Sequence, residues 1–389
     1  MNCSHLLTPQ SLKMESSLVR ELLYYSQQPD ILSLAGGLPD EVYMPAFPDV
    51  REVSDSRQYG PSEGEQRLRE HVVSTIAQRG ITADASQVLI TNGSQQGLDI
   101  VSRLILDENS VILTEQPTYL AACQVFKLQG AKIQDVASDD EGMSIAELRT
   151  AIATHKPKAV YLIPNFQNPT GHCYSKKRRA AIAQVIDEAG ILLLEDDPYR
   201  DLCYEEVDRT PITSLMVSAP WIYMGSFSKV LWPGLRTGYV VSCDELSSYL
   251  VKLKQATDLH TNRLGQNMIS HYLDSGQFPA HLENLRTVYR EKRDIMMAAL
   301  DQHLHGLVQY SKPSGGMFVW LKLPAGVSSK QVLKGALAEK VLILPGTPFF
   351  PNDNADTDGH IRLSFARVSP DDLQKAISTL AVVIKALIK

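Results

Sequence analysis

The chain has 389 residues, of which 44% are hydrophobic and 21% charged, and its formal net charge is −6. A single core stops growing near about 250 to 300 residues, so this length predicts two unequal lobes, and the composition excludes a disordered or fibrous chain. The acidic balance argues against a nucleic-acid partner; the local basic cluster, SKKRR at Ser175 to Arg179, reads as the start of a solvated helix.

The N-terminal MNCSHLLTPQSLKMES has no apolar core behind positive charge, and no run of 18 apolar residues occurs, so neither a signal peptide nor a membrane span is expected. Cys3, Cys123, Cys173, Cys203 and Cys243 are scattered, form no CxxC pair and fit reduced thiols in a cytoplasmic protein. Leu18, Leu22 and Leu23 share a helical face in the first 35 residues, a segment expected to pack on the C-terminal lobe or a partner subunit.

From residue 85 to residue 245, seven β-rich runs alternate with segments of helical period. The runs are QVLIT, SVILTE, AKIQDVAS, KAVYLIP, GILLLEDD, WIYMGSFS and GYVVSC. Between them, SQQGLDIVSRLIL sets Leu98, Val101, Leu104 and Ile105 on one face, and SKKRRAAIAQVIDEAG does so with Ile182, Val185 and Ile186. Apolar strands alternating with amphipathic helices predict an α/β fold whose mostly parallel seven-stranded sheet is covered on both faces. From about Pro279 the pattern changes to a long helix, the strand GGMFVWLKL, a helix at SKQVLKGALAEK, the strand HIRLSFAR and a last helix opened by SPDD, an α+β lobe. The expected division is an N-terminal segment 1–35, a large domain 36–280 and a small domain 281–389.

Ligands of such sheets bind beyond the carboxyl ends of the strands, and the chemistry-bearing residues fall there. ITNGSQQGLD opens a helix at Ser94 and Gln95, whose backbone N–H groups lack internal partners and suit a phosphate; a plain Ser N-cap fits the same letters. Neither GxGxxG nor GxxxxGK[ST] is present, which argues against a dinucleotide fold or P-loop. LLLEDDPYRD closes a strand with Asp196 and Asp197. A carboxylate buried there needs a cation such as a protonated pyridine nitrogen, with Tyr199 in reach of a ring oxygen; the alternative is a helix N-cap before Pro198. In YLIPNFQNPTG, Asn168 is either an amide donor to that oxygen or part of an ordinary Asn-Pro turn.

MGSFSKVLWPGLRTG sets Lys229 after a strand, either as a solvated lysine or as an amine made nucleophilic by desolvation near other cations. Ser226, Ser228 and Arg236 around it suit a phosphate. An amine, a buried acid, a tyrosine and a phosphate cradle are together the parts that hold pyridoxal phosphate. NADTDGH at 354 to 360 imitates the start of a calcium loop with Asn354, Asp356 and Asp358, but Phe365 stands where a bidentate Glu belongs, and no metal is assigned.

These motifs resemble those of the fold type I pyridoxal-phosphate aminotransferases of class I/II, in particular the branch of 2-aminoadipate (LysN-like) and kynurenine/aminoadipate aminotransferases. The resemblance runs over nearly the whole chain: SLAGGLPD (33 to 40), QYGPSEGEQRLRE (58 to 70), TNGSQQGLD (91 to 99), PNFQNPTG (164 to 171), EDDPYR (195 to 200), SFSKVLWPGLRTG (226 to 238), DLHT (258 to 261), GGMFVWLKLP (315 to 324) and IRLSFA (361 to 366). It implies that Lys229 anchors the cofactor aldehyde and later carries a proton at Cα, while Asp196 keeps the pyridine nitrogen protonated. Tyr199 and Asn168 would bind the ring oxygen and Tyr119 would stack on the ring. Ser94, Gln95, Ser226, Ser228 and Arg236 would hold the phosphate, joined by Tyr59 from the other subunit of a homodimer. Arg362 would clamp the substrate α-carboxylate beside the backbone of Gly37, and Arg20 would meet a distal carboxylate.

The activity so implied is ping-pong transfer of an amino group from 2-aminoadipate, an aromatic, leucine-like or glutamate donor to a 2-oxo acid such as 2-oxoglutarate. A lyase or decarboxylase on the same fold, or an amino-acid sensor without turnover, are the alternatives. Family relatives that regulate transcription carry a winged-helix module ahead of this region, and the roughly 30 residues before LAGGLP are too few for one.

Overall fold

The computed structural model describes residues 4–12, 22, 24–49, 56–352 and 357–388. Cys3, Leu18, Arg20, Leu23, Asn354 and Asp356 lie outside the described residues. A short β1 (Leu32–Ser33) precedes the seven apolar runs, which form β2 (Val88–Thr91), β3 (Val111–Gln116), β4 (Lys132–Asp139), β6 (Ala159–Leu162), β7 (Leu192–Asp196), β8 (Trp221–Ser226) and β9 (Gly238–Ser242). An eighth strand, β5 (Gly142–Met143), folds back on β4 and is too short to leave a sequence pattern. All but β1 join one sheet in the order β2-β9-β8-β7-β6-β3-β4-β5. The run β8, β7, β6, β3 and β4 is parallel, and β9 is antiparallel to both its neighbours.

Residues of β2, β6, β7 and β9 are buried throughout, as strands covered on both faces must be. The covering helices are α1 (Gln66–Ala77), α2 (Ser94–Ile105), α3 (Leu120–Leu128), α4 (Ile145–His155), α5 (Lys176–Ala189), α6 (Asp244–Asp258) and α7 (Arg263–Asp274). Local chemistry sets their ends. Ser175 accepts from Arg178 N at 3.1 Å to open α5, and Gly190 closes it at φ 62°, a backbone region that glycine enters without strain. The SKKRR cluster starts a helix as expected, but two of its arginines are not solvated. Arg178 reaches the Gly142 and Met143 carbonyls and Asp139, while Arg179 is fully buried and donates to Pro164 O and Asn165 Oδ1, bracing the turn that carries Asn168.

The C-terminal part contains α8 (Phe278–Leu304), β10 (Phe318–Lys322), α9 (Ser329–Ala338), β11 (Val341–Leu342), β12 (Leu344–Pro345), β13 (His360–Ser364) and α10 (Pro370–Leu387). Strands β10, β13 and β12 form an antiparallel sheet, and β11 pairs in parallel with β1. Ser369 caps α10 by accepting from Asp372 N at 3.3 Å, with Pro370 at the first helical position. Asp358 accepts from the hydroxyls of Ser328 and Ser329 and so helps to anchor the start of α9. No helix among the described residues is long and apolar enough to cross a membrane, and those residues hold no group of three or more potential metal ligands.

Candidate active site

The carboxyl ends of β2, β3, β6, β7 and β8 open onto one edge of the sheet, and β9, running the other way, begins there. Ser94, Tyr119, Asn168, Asp196, Lys229 and Arg236 follow or precede those ends within seven residues. Topology therefore brings together residues far apart in sequence.

Three successive acids lie buried where β7 ends, and their hydrogen bonds distinguish them. Glu195 accepts from Ile212 N, Thr213 N and Thr213 Oγ1. Asp197 accepts from Asn165 Nδ2 at 2.8 Å on one oxygen and from the Tyr223 hydroxyl at 2.7 Å on the other. Asp196 accepts only on Oδ2, from the Tyr161 hydroxyl at 2.9 Å; its Oδ1, also buried, has no partner among the described residues. Tyr161 pairs in register with Leu194, and the two-residue period of a strand puts Leu194 and Asp196 on that same face. Burial pushes the Asp196 carboxyl up to about 7, with the Asp197 charge adding to it and the Tyr161 hydroxyl opposing it. A buried carboxylate oxygen without a partner calls for a cationic or N–H donor. No helix follows Pro198, so the helix-cap alternative for this stretch falls away.

Lys229, half-buried after β8, donates from Nζ to the Gly37 carbonyl at 2.8 Å and lies 5.7 Å from the Tyr199 ring centre. Desolvation, helped by the charges of Arg362 and Arg236, brings its ammonium down to about 8, so a neutral amine is accessible near physiological pH. It is not a solvated surface lysine.

Arg362, in the middle of β13, is 4% exposed. Its Nη1 donates to Asn168 Oδ1 at 2.7 Å and its Nη2 to Ala35 O at 2.5 Å; it stacks 4.2 Å from the Phe318 ring centre, and its buried Nε has no partner among the described residues. Asn168 in turn donates from Nδ2 to the Tyr199 hydroxyl at 3.3 Å. Burial without a carboxylate partner lowers the guanidinium to about 10. A buried guanidinium without an acidic partner is a receptor for a carboxylate.

The start of α2 has Gly93 as N-cap at φ 77°, with no side-chain cap. Ser94 is therefore the first helical residue, and the plain Ser N-cap reading is overturned: Gln96 N already bonds to Gly93 O, and the N–H groups of Ser94 and Gln95 remain available to an anion. Backbones crowd here, since a Cβ at Gly238 would lie 2.6 Å from Ser94 N. Arg236 comes in at φ 50° and donates to Ser228 Oγ at 3.5 Å, while Ser226 Oγ accepts from Ser228 N at 3.1 Å. Two hydroxyls, a guanidinium and a helix start converge as an anion site would require.

Tyr119 is half-buried at the start of α3, and burial beside Asp196 pushes its phenol up to about 12. Gly37 contributes its carbonyl to Lys229, and a Cβ on it would press on Phe318. Tyr59 stands apart, 76% exposed and edge-on to His260. Reading the sequence missed Tyr161, Phe318 and Glu115. Glu115, buried at the end of β3, accepts from Ile163 N and the Tyr174 hydroxyl and is pushed by burial up to about 7. An acid inside the apolar run SVILTE was the available signal for it; Tyr161 carried none, because a strand tyrosine is ordinary core.

The donor set fits pyridoxal phosphate: an unpaired buried carboxylate oxygen for a ring N–H, a softened amine for an aldehyde and a capless helix start with Ser and Arg for a phosphate. The profile of aminotransferase class I and II matches residues 30–380, and the chain belongs to that family. It is a pyridoxal-phosphate-dependent aminotransferase of fold type I. It is 39% identical to the 2-aminoadipate transaminase of Thermus thermophilus, over 97% of this chain and 96% of that one. It is 34% identical to aromatic-amino-acid aminotransferase 1 of Thermococcus litoralis, over 97% and 94%. The crystal structure of LysN, the alpha-aminoadipate aminotransferase of T. thermophilus complexed with N-(5'-phosphopyridoxyl)-L-leucine, superposes with a TM-score of 0.91 at 36% identity, covering 100% of this chain and 99% of that one.

Proposed function

We propose that this aminotransferase takes the amino group of 2-aminoadipate, an aromatic or leucine-like amino acid or glutamate, and passes it to a 2-oxo acid such as 2-oxoglutarate, by ping-pong turnover in the cytoplasm. The observation that carries the site assignment is the unpartnered Asp196 Oδ1 at the sheet edge that also carries Lys229, with Arg362 of β13 joined to Asn168 of that edge. Relatives named for 2-aminoadipate and for aromatic amino acids support a pocket open to unlike side chains.

When bound, pyridoxal phosphate supplies an electron sink that acidifies the Cα–H of the attached amino acid and holds the nitrogen between half-reactions. Asp196 Oδ1 would hold the ring-nitrogen proton, Tyr199 and Asn168 would bind the ring oxygen and Tyr119 would stack on the ring. Ser94, Gln95, Ser226, Ser228 and Arg236 would hold the phosphate. Lys229 would anchor the cofactor aldehyde, and its neutral amine would carry the proton at Cα, a role its lowered basicity suits. Arg362 binds the α-carboxylate with its unused Nε and remaining N–H groups, near the backbone at Gly37. For Arg20 the resemblance alone supports contact with a distal carboxylate.

The exposed Tyr59, with Val42 and Phe47 also exposed, supports a homodimer in which Tyr59 crosses to the partner's phosphate. A donor panel tests the reading. Without acceptor, each good donor releases one equivalent of 2-oxo acid per site and stops, and 2-oxoglutarate restarts turnover. Continuous release of carbon dioxide or of a fragment, with no need of an acceptor, would establish a decarboxylase or lyase instead.

A further inference from the structure

Beside the helix start that we assign to the phosphate lies a second polar cluster, built from Asn92, Gln96, Lys254 and Asp258. Asp258, the last residue of α6, accepts on Oδ2 from Asn92 Nδ2 at 2.6 Å, from Gln96 Nε2 at 2.7 Å and from Lys254 Nζ at 2.9 Å, and its Oδ1 lies 2.9 Å from the same ammonium. Gln96 closes the ring, accepting from Lys254 Nζ at 2.7 Å and from Asn92 N at 2.8 Å. Lys254 is fully buried. Asn92 and Gln96 flank Gly93, Ser94 and Gln95 on both sides. The cluster therefore grips the turn whose N–H groups face the anion.

The chain beyond Asp258 is held in a rarely populated shape. Leu259 has φ 69° and ψ −60°, and His260 N donates back to Asp258 O at 2.8 Å, a tight three-residue turn that a leucine adopts only where its surroundings impose it. Immediately after it, Thr261 Oγ1 donates to Ile90 O in β2 and Thr261 O accepts from Gln266 Nε2. One segment thus fixes β2, the turn and the first turn of α2 together. A carboxylate this close to an anion site would repel phosphate; the buried ammonium of Lys254 neutralises it, so Asp258 can act as a clamp without weakening the anion site.

We propose that Asp258 is a positioning residue for cofactor capture: by clamping Asn92 and Gln96 it aims the N–H groups of Ser94 and Gln95, and so sets the affinity for the phosphate group in particular. The inference rests on the assignment of those N–H groups to the phosphate. The test titrates apoprotein with pyridoxal phosphate and with pyridoxal, which lacks the phosphate, and follows tryptophan fluorescence. Wild type binds the phosphorylated ligand far more tightly; equal binding there would overturn the cradle assignment itself, and this inference with it. Asp258→Asn is expected to weaken pyridoxal phosphate about 10- to 100-fold, the scale of a charge-assisted hydrogen bond, and pyridoxal less than about threefold. Gln96→Met, which leaves the Asp258 and Lys254 pair intact, changes the ratio in the same direction and decides the matter if the first variant does not fold. Equal losses for both ligands would show that Asp258 only supports the fold and would overturn the proposal.

Discussion

The hydroxyl of Tyr161 donates to Oδ2 of Asp196 at 2.9 Å and leaves Oδ1 as the unpaired oxygen of a buried carboxyl. The bond both fixes which oxygen is left for another donor and opposes the upward push of burial on Asp196. Between the ordinary aspartate value and about 7, the folded apoprotein binds more protons at Asp196 than the unfolded chain does. That contribution to stability is therefore lost as pH rises through this window. Tyr161→Phe raises Asp196 further and deepens the loss. Apoprotein melting should show a larger destabilisation of the variant at pH 8 than at pH 5; equal shifts at both would mean that the hydroxyl has no influence on the Asp196 charge.

Lys229→Ala should fold, because among the described residues the lysine's one hydrogen bond is to Gly37 O, and should lose turnover by a factor of at least about 10⁴, the scale for removing a covalent and proton-carrying group. Its purified form should also lack the visible absorption of a lysine-linked cofactor. Retention of that absorption would move the anchor to another lysine.

Legibility in the sequence followed the physics of each element. Strands β2, β6, β7 and β9 of the large sheet announced themselves because both their faces are buried, and Ser175 and Ser369 marked helix starts because their caps are local chemistry. Gly142–Met143 was silent, being too short for a period. The adjacent acids 196 and 197 were equivalent as letters apart from the family pattern; only the alternation of side chains along β7, and the partners that β6 and β8 bring to each face, tell them apart. The ring of Asp258, Lys254, Asn92 and Gln96 joins residues up to 166 positions apart, beyond the reach of local pattern.

Substituting each acid in turn separates their tasks. Asp196→Asn keeps the shape of the site but removes the charge proposed to pair with the ring nitrogen, and the barrier to kcat should rise by about 3 to 4 kcal/mol, with little change in apoprotein melting at neutral pH. Asp197→Asn leaves one acceptor oxygen where there were two, so one of the two donors that Asp197 satisfies, Asn165 Nδ2 or the Tyr223 hydroxyl, loses its acceptor, and the change should cost about 1 to 3 kcal/mol of stability with a smaller effect on kcat. Kinetics and melting curves on both variants check this; the opposite pattern would exchange the two roles.

The amine of Lys229 and the guanidinium of Arg362 are coupled through charge, which gives a pH-dependent prediction. Lys229 sits near 8 because it is desolvated and because Arg362 and Arg236 disfavour its charged form. Capture of an aldehyde needs the neutral amine, whose fraction rises about tenfold per pH unit below that midpoint and levels off above it. The rate at which wild-type apoprotein forms the lysine-linked cofactor, followed by stopped-flow absorption and corrected for the cofactor's own titration, should therefore climb from pH 6 and flatten above about 8. Arg362→Met removes one of the two cations and fills the space with an apolar chain, so the midpoint should move up toward the ordinary lysine value. Removing Arg362 also abolishes the α-carboxylate clamp, so the Michaelis constant for every amino donor should rise together. A midpoint unmoved in Arg362→Met would mean that burial and Arg236 set the amine, and that Arg362 acts on substrate only.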